Sequence, residues 1–265
     1  MQKFWKIMKK VLLVAGVLSA AALFVVVLTS AIKKQKQLVC RNIQVKIDYD
    51  SGLAFLTEDE IKDKINYQYS GSITGKPLSG IDFRTMEKNL KKNPFISDAE
   101  IFVNQQQDIV VDIVQKRPIL RVINNDGVSY YISEKNDRIP LSDNFTSHVA
   151  IALGNVEMHK DTRRDSAVQT ALYKLIQFVR KDEFLNALVD QVYVQEDGEM
   201  QLIPKIGGQT IKFGAGDEDL AEKFERLKIF YSEGLKKAGW DKYKTIDLRY
   251  KDQVVCEKRD TTNKL

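Results

Sequence analysis

The 265-residue chain has a formal net charge of +5, but that charge is unevenly distributed. Eight of its 41 Lys and Arg residues and none of its 36 acids lie in residues 1–41, which leaves residues 42–265 with 33 basic residues and a net charge of −3. The larger part therefore lacks the basic surface of a nucleic-acid binder, and two cysteines are too few for a disulfide framework. Its length allows one or two domains with hydrophobic cores of their own.

An uncharged run of 22 residues, Val11 to Ile32, lies between Lys10 and Lys33. As a helix with about 1.5 Å of rise per residue it would span roughly 33 Å, close to the roughly 30 Å hydrocarbon core of a bilayer. We predict a transmembrane helix over residues 11–32 and a cytoplasmic tail over residues 1–10. Four basic residues flank the run on each side, so the positive-inside rule does not decide the orientation. The cytoplasmic assignment of the tail rests on its ten residues against the 233 beyond Ile32, which favour export of the C-terminal part. A cleaved secretory signal is the alternative, although the run is longer than a signal's apolar region and no A-x-A follows it.

Residues 41–117 combine strand and helix signals. Residues 41–48 alternate apolar and polar side chains, which predicts a half-buried strand. Thr57 and Glu60 have the spacing of a capping box at a helix start, and Ile61 and Ile65 mark the inner face of that helix.

A second helix is predicted to start at Asp82, with Phe83, Met86 and Leu90 on its apolar side, and to stop before Asn93-Pro94. Strands are then predicted over 99–103 and 109–114. The order strand, helix, helix, strand, strand predicts two helices on one face of a three-stranded sheet.

Pro118 marks a boundary, after which a larger β domain is predicted over residues 118–258. Its first two strands flank the Asn124–Gly127 turn, a good hairpin signal. Strands are predicted over residues 119–123, 128–132, 191–195, 200–204, 210–213, 245–250 and 253–256, and helices over residues 166–181 and 217–239. Residues 259–265 form a charged tail. The predicted fold class is α+β, with a mixed or antiparallel sheet and packed helices in this domain.

The last predicted strands form a candidate interaction surface. Ile246, Leu248 and Tyr250 alternate with Asp247 and Arg249. A terminal strand is a candidate for the edge of a sheet, where unpaired N–H and C=O groups are offered to a partner strand. The sequence therefore predicts partner binding at its C-terminal end.

No pattern in the sequence predicts catalysis. His148 and His159 are the only histidines and have no accompanying metal-ligand motif, so no metal site is predicted. Gly214-Ala215-Gly216 lacks the rest of a phosphate-binding motif and precedes three acids, which favours a tight turn. We predict no catalytic residue, no cofactor and no small-molecule substrate.

Several local strings resemble one protein family in their order and separation. Residues from Val45 through Lys116-Arg117-Pro118, with Asn93-Pro94-Phe95-Ile96 between them, resemble a POTRA domain. Val114–Pro118 resembles the passage from that domain into the β domain of the FtsQ/DivIB family of bacterial division proteins. Gly208–Gly214 and the closing Ile246–Tyr250 are similar to the rest of the same family. The resemblance covers nearly the whole chain, including the N-terminal span.

The resemblance implies a non-catalytic, membrane-anchored scaffold of the divisome that acts in septum formation. Its POTRA domain would help recruitment, and its β domain would bind the single-span partners FtsB and FtsL. The family's Arg-Tyr pair contributes to the FtsB contact, which implies Arg249 and Tyr250 here; Val254 on the next predicted strand is the third partner-binding residue that we infer. Arg249 would engage a carboxylate and Tyr250 would bury its ring. The alternative is that these residues only complete the sheet.

The resemblance also implies a single pass through the cell inner membrane, with a cytoplasmic N-terminus and periplasmic or extracellular C-terminal domains. A POTRA-type translocation or barrel-assembly factor is the alternative function, although such proteins usually carry several POTRA units and a barrel. A cell-wall hydrolase is a third reading, because two carboxylates across a groove can suffice for that chemistry.

Overall fold

The computed structural model describes residues 16, 18–19, 21–26, 38–49, 52–156, 163–216 and 219–259. The chain divides into two units, which are described separately. The first unit consists of Met1–Asp48 and Leu56–Val114, and the second of Tyr49–Phe55 and Gln115–Leu265.

Only part of the predicted membrane span is described. Residues 16, 18–19 and 21–26 are helical and exposed, and the rest of the span 11–32 lies outside the described residues, as do the tail 1–10 and residues 260–265. Among the residues that are described, no helix has both the length and the hydropathy needed to cross a bilayer.

The first unit has the predicted order strand, helix, helix, strand, strand. Its elements are β1 (Ile43–Ile47), α1 (Glu58–Gln68), α2 (Phe83–Leu90), β2 (Ile96–Val103) and β3 (Ile109–Gln115), with a short 3-10 turn at Leu78–Gly80. The sheet order is β1-β3-β2, and β1 pairs with β3 in parallel. The last strand of the unit in the sequence, β3, is thus the central strand of its sheet.

Side-chain caps start both helices of this unit where the sequence predicts them. The Thr57 hydroxyl accepts a hydrogen bond from the Glu60 N–H at 3.3 Å, and the Glu60 carboxylate accepts one from the Thr57 N–H at 2.9 Å. The Asp82 carboxylate accepts from the Thr85 N–H at 3.0 Å. These bonds satisfy donors that have no partner within the helix, and Ile61 lies fully buried one turn further on.

The second unit contains one nine-stranded sheet. Its strands are β4 (Pro118–Asn124), β5 (Ser129–Ser133), β6 (Arg138–Ile139), β7 (Ala150–Gly154), β8 (Val189–Val194), β9 (Met200–Pro204), β10 (Thr210–Gly214), β11 (Tyr243–Asp247) and β12 (Val255–Lys258). Its helices are α3 (Arg163–Lys181), α4 (Glu183–Leu188), α5 (Leu220–Ile229) and α6 (Leu235–Ala238), with a π-helical segment, Phe230–Gly234, between the last two.

The sheet is mixed, and its order is β12-β11-β10-β9-β8-β7-β4-β5-β6. The pairs β4–β7, β7–β8 and β10–β11 are parallel, and the other five neighbouring pairs are antiparallel. Strands β12 and β6 lie at the two edges. Because β6 has only two residues, β12 is the longer edge.

Helices α3 and α5 cover one face of this sheet. Helix α3 buries an apolar stripe made of Leu172, Leu175, Ile176 and Val179. The stripe shares one core with alternate residues of the strands, such as Leu202, Ile211 and Ile246. The rings of Phe178 on α3 and Phe224 on α5 stack at a centroid distance of 5.3 Å. The two helices therefore close a single core on the same side of the sheet.

Three elements of this unit, β6, β7 and α4, were not predicted, and the bounds of its last two strands are wrong. Helix α4 was not predicted, although Asp182 caps it by accepting from the Leu185 N–H at 3.0 Å. The strand predicted over 245–250 ends at Asp247, and the next strand begins at Val255 instead of Gln253. Arg249 and Tyr250 consequently lie in the connection between β11 and β12. There the carbonyls of Leu248 and Tyr250 accept hydrogen bonds from the Arg226 side chain instead of from a neighbouring strand.

A buried glutamine joins the two pieces of the chain that make up the second unit. The Gln115 side chain donates to the Leu53 carbonyl at 3.0 Å and accepts from the Phe55 N–H at 3.0 Å. Gln115 is only 3% exposed. The Phe55 ring packs edge-on against Tyr131 and Phe145 of the same unit.

We predict that Gln115→Ala lowers the free energy of unfolding of the second unit by about 2 kcal/mol or more. The reason is that a buried donor and a buried acceptor lose their partner, at about 1–3 kcal/mol each. Denaturant unfolding followed by Trp240 fluorescence, in a Trp5→Phe background, measures the change. The control is Gln105→Ala in an exposed turn; equal midpoints for the two variants would contradict the role of Gln115.

Candidate functional site

The candidate site is the β11–β12 end of the second sheet. Strand β12 pairs with β11 in antiparallel register, with Asp247 opposite Val255 and Ile246 opposite Cys256. Among the residues that the structure describes, no strand pairs with the other side of β12. The sequence prediction of an edge at the C-terminal strand is therefore confirmed, with the edge on β12.

Arg249 is held within the unit by two carboxylates. Its Nε donates to Asp247 at 3.0 Å, its Nη2 donates to Asp247 at 2.7 Å, and its Nη1 donates to Glu199 at 2.8 Å. Asp247 is the last residue of β11, and Glu199 directly precedes β9. The guanidinium therefore links the ends of two strands that lie on either side of β10. The carboxylate that the sequence assigned to a partner is supplied here by the chain itself.

Electrostatics keep this pair ionised. Burial by itself raises the pKa of Asp247, but the hydrogen bonds and charge of Arg249 outweigh burial and hold the pKa below its usual range. The bond to Asp247 also raises the pKa of Arg249 above its usual value. Asp247 is therefore a carboxylate at neutral pH, and its side chain is only 10% exposed.

A glycine makes room for Arg249. Gly214 ends β10 with φ +88°, and a Cβ built there would lie 3.3 Å from the Arg249 Cγ. Any other residue would meet both backbone strain and a close contact. Gly214 lies within the string that resembles the FtsQ/DivIB family, but its role beside Arg249 was not predicted.

A second arginine, Arg226 on α5, holds the connection after β11. Its Nη1 donates to the Tyr250 carbonyl at 2.9 Å and its Nη2 to the Leu248 carbonyl at 3.1 Å. The Leu248 N–H donates to the Lys212 carbonyl at 2.9 Å, and the Leu248 side chain is fully buried. The backbone around Arg249 is therefore fixed to both α5 and β10.

The predicted site residues differ in what they present to solvent. The Tyr250 side chain is 49% exposed, whereas Val254 is half-buried and packs against the core. Val255, which was not predicted, is 43% exposed. The structure thus brings Arg249 together with Asp247 and leaves Tyr250 and Val255 as the exposed apolar groups of this end.

Part of this arrangement could have been found in the sequence. Asp247 and Arg249 are two residues apart, a spacing that puts side chains on one face of an extended chain. Glu199 and Arg226 carry no such signal, because each is more than 20 residues from Arg249 along the chain. Their contacts depend on the order of the strands.

A cavity of about 520 Å³ lies at another place in the second unit, beside His148, Arg180, Asp190 and Lys205. Arg180 pairs with Glu134 at 3.1 Å. Of the residues that are described, those lining the cavity include no Ser, Thr or Cys. Within the described parts of the chain, no group of three or more His, Cys, Asp or Glu side chains is arranged to hold a metal ion.

We predict that Arg249→Met raises the pKa of Asp247 relative to the wild type, because the side-chain hydrogen bonds and charge of Arg249 no longer oppose burial, while the residue-249 N–H and Lys212 remain. In the wild type the stabilising effect of the pair is complete above the ordinary carboxyl pKa and is lost as the pH falls through the lowered pKa of Asp247. An NMR titration of the Asp247 carboxyl carbon in both proteins measures the shift. An unchanged pKa would contradict the coupling; Arg84→Met, an exposed arginine of the first unit, is the control.

Known proteins resemble both parts of the chain. The family model described as FtsQ/DivIB, C-terminal related, matches residues 117–257, and a model described as a POTRA-like domain matches residues 38–114. Over 214 residues the chain is 24% identical to a cell division protein FtsQ from Geotalea daltonii, which covers 78% of this chain and 73% of the relative. The first match alone includes more than half of the chain and contains β11 and all but the last residue of β12. The chain therefore belongs to the FtsQ/DivIB family of cell division proteins.

Proposed function

We propose that this FtsQ/DivIB-family protein is a non-catalytic, membrane-anchored scaffold of the divisome that binds FtsB- and FtsL-type partners during septum formation. The observation that supports the proposal most directly is the edge position of β12. An edge strand offers backbone N–H and C=O groups on its open side, and a partner segment in extended conformation can pair with them.

In this proposal the residues at the β11–β12 end have distinct roles. Tyr250 and Val255 contact the partner through exposed apolar side chains. Arg249 is a positioning residue, since its guanidinium is bound to Asp247 and Glu199. Val254 supports β12 from the core side. A connection that is already ordered loses less conformational entropy on binding, which favours affinity.

We predict that Tyr250→Ala weakens binding of the full chain to the exterior segment of the organism's FtsB-type protein by roughly thirtyfold or more, because a buried interface anchor typically contributes about 2 kcal/mol. Isothermal titration calorimetry measures the affinity. The control is Tyr193→Ala, since Tyr193 on β8 is exposed to a similar extent, 41%, but lies far from β12 in the sheet order.

The outcomes separate the possible interfaces. If both tyrosine variants bind as the wild type does, the interface lies elsewhere and the assignment to β12 fails. If the wild type does not bind at all, the scaffold function loses its support and the translocation alternative becomes the one to test.

We further propose that residues 11–32 span the inner membrane, with the N-terminus in the cytoplasm and residues 41–265 outside. The exposed apolar side chains of Leu18, Leu23 and Phe24 support this, because each is at least 65% exposed in the isolated chain. A lipid environment would remove this apolar surface from water.

We predict that the full chain stays in the membrane fraction after alkaline extraction and that Leu18→Lys with Phe24→Lys releases it. Two lysines near the centre of a span oppose insertion by about 2.5–3.5 kcal/mol each. Gln35→Lys with Gln37→Lys adds the same charge outside the run and is the control. Release of the wild-type chain would contradict the span.

A further inference from the structure

One end of the second unit is strongly basic. Three segments, residues 205–209, 236–244 and 258–259, contain six lysines, Arg259 and one acid, Asp241. We call them the basic tip. Its net charge is +6, whereas residues 42–265 together have a net charge of −3. The remainder of that region therefore has a net charge of −9, so positive charge is concentrated at this one place.

Direct contacts join the three segments into one surface. The Gln209 side chain donates to the Trp240 carbonyl at 2.6 Å. The Arg259 guanidinium donates to the carbonyls of Gly207 and Gly208 at 3.1 and 3.0 Å, and the Arg259 N–H donates to the Lys242 carbonyl at 2.9 Å. Hydrogen bonds between the three segments therefore hold the basic tip together as one surface.

Two large apolar side chains project from the basic tip. Ile206 is 60% exposed and Trp240 is 42% exposed. The Trp240 ring packs edge-on against the buried ring of Tyr231 at a centroid distance of 5.9 Å. This contact fixes one edge of the indole against the core and leaves much of the ring exposed to solvent.

The basic tip lies at the end of the sheet where the chain enters the second unit. Pro204, which precedes the first segment, pairs with Val189 at the start of β8. Strand β8 runs parallel to β7, and β7 runs parallel to β4. The starts of these strands share one end of the sheet, and β4 begins at Pro118, directly after the chain enters from the N-terminal part.

We propose that the basic tip docks on the surface of a bilayer that contains anionic phospholipids. Indole rings favour the membrane–water interface, and each lysine near an anionic surface adds attraction to the lipid phosphates. An exposed Trp and Ile on the same surface as six exposed lysines combine the two chemistries of an interfacial site. An acidic protein would satisfy the charges, but the exposed indole beside the lysines favours the lipid surface. The proposal does not depend on strand addition at β12.

The test uses Trp240 as its own reporter in the full chain. The chain has two tryptophans, so Trp5→Phe leaves Trp240 alone. This protein is reconstituted with vesicles of brominated phosphatidylcholine, with or without phosphatidylglycerol. We expect bromine quenching of Trp240 in the anionic vesicles and little in the neutral ones. Raising the salt from about 0.1 M to about 1 M shortens the screening length from about 10 Å to about 3 Å and should reduce the quenching.

A pair of charge-matched variants tests the role of the lysines. Lys237→Glu with Lys242→Glu changes the charge of the basic tip by four. Since each charge shifts the docked-to-undocked ratio about fivefold, we expect that ratio to fall by roughly several hundredfold. Lys174→Glu with Lys251→Glu makes the same change elsewhere on the second unit and should leave the quenching near that of the wild type.

Three results would overturn the proposal. The first is an absence of quenching in both kinds of vesicle, and the second is equal quenching in anionic and neutral vesicles. The third is a response of Trp240 emission to soluble polyglutamate without any response to vesicles, which would assign the basic tip to an acidic protein. Measurements on the Trp5→Phe protein, without any lysine substitution, decide all three. The three results therefore stand even if a lysine variant fails to fold by circular dichroism.

Discussion

The parallel pairing of β10 with β11 is the constraint on which the functional end of this protein depends. Two parallel strands cannot be joined by a hairpin, so the chain must leave the sheet and cross over it. The crossover is α5, the π segment and α6, and it covers the core face with Phe224 and Leu227. The chain then returns as β11, which forms an antiparallel hairpin with β12. Strand β12 is consequently the edge, because nothing described follows it in the sheet.

Charged side chains then determine the shape of the connection between β11 and β12. Arg249 draws Asp247 and Glu199 together, and Arg226 holds two backbone carbonyls on the other side. Such bonds are worth most where the groups are partly removed from water, as Asp247 is. They leave the aromatic ring of Tyr250 exposed on a fixed backbone. This arrangement lowers the entropy that would be lost when a partner orders the same residues.

The final hairpin connects two chemically different ends of the second unit. Strand β11 begins at Tyr243 in the basic tip and ends at Asp247 beside the ordered connection. One end is rich in lysine and carries Trp240, and at the other end Arg249 is paired with Asp247 and Glu199. A partner strand along β12 would run between them. In the proposed function, lipid docking at one end and partner binding along the edge would be compatible uses of the same hairpin.

The sequence by itself determined the elements whose signals are local. The capping box at Thr57, the Asp82 cap and the turn before Gly127 predicted helix starts and a hairpin correctly, because those interactions span two to four residues. The family strings added the domain types. Only the tertiary structure decided where β11 ends and what Arg249 binds. Glu199 is 50 residues from Arg249, and their contact exists because β9, β10 and β11 are neighbours in the sheet, an order that no local pattern encodes.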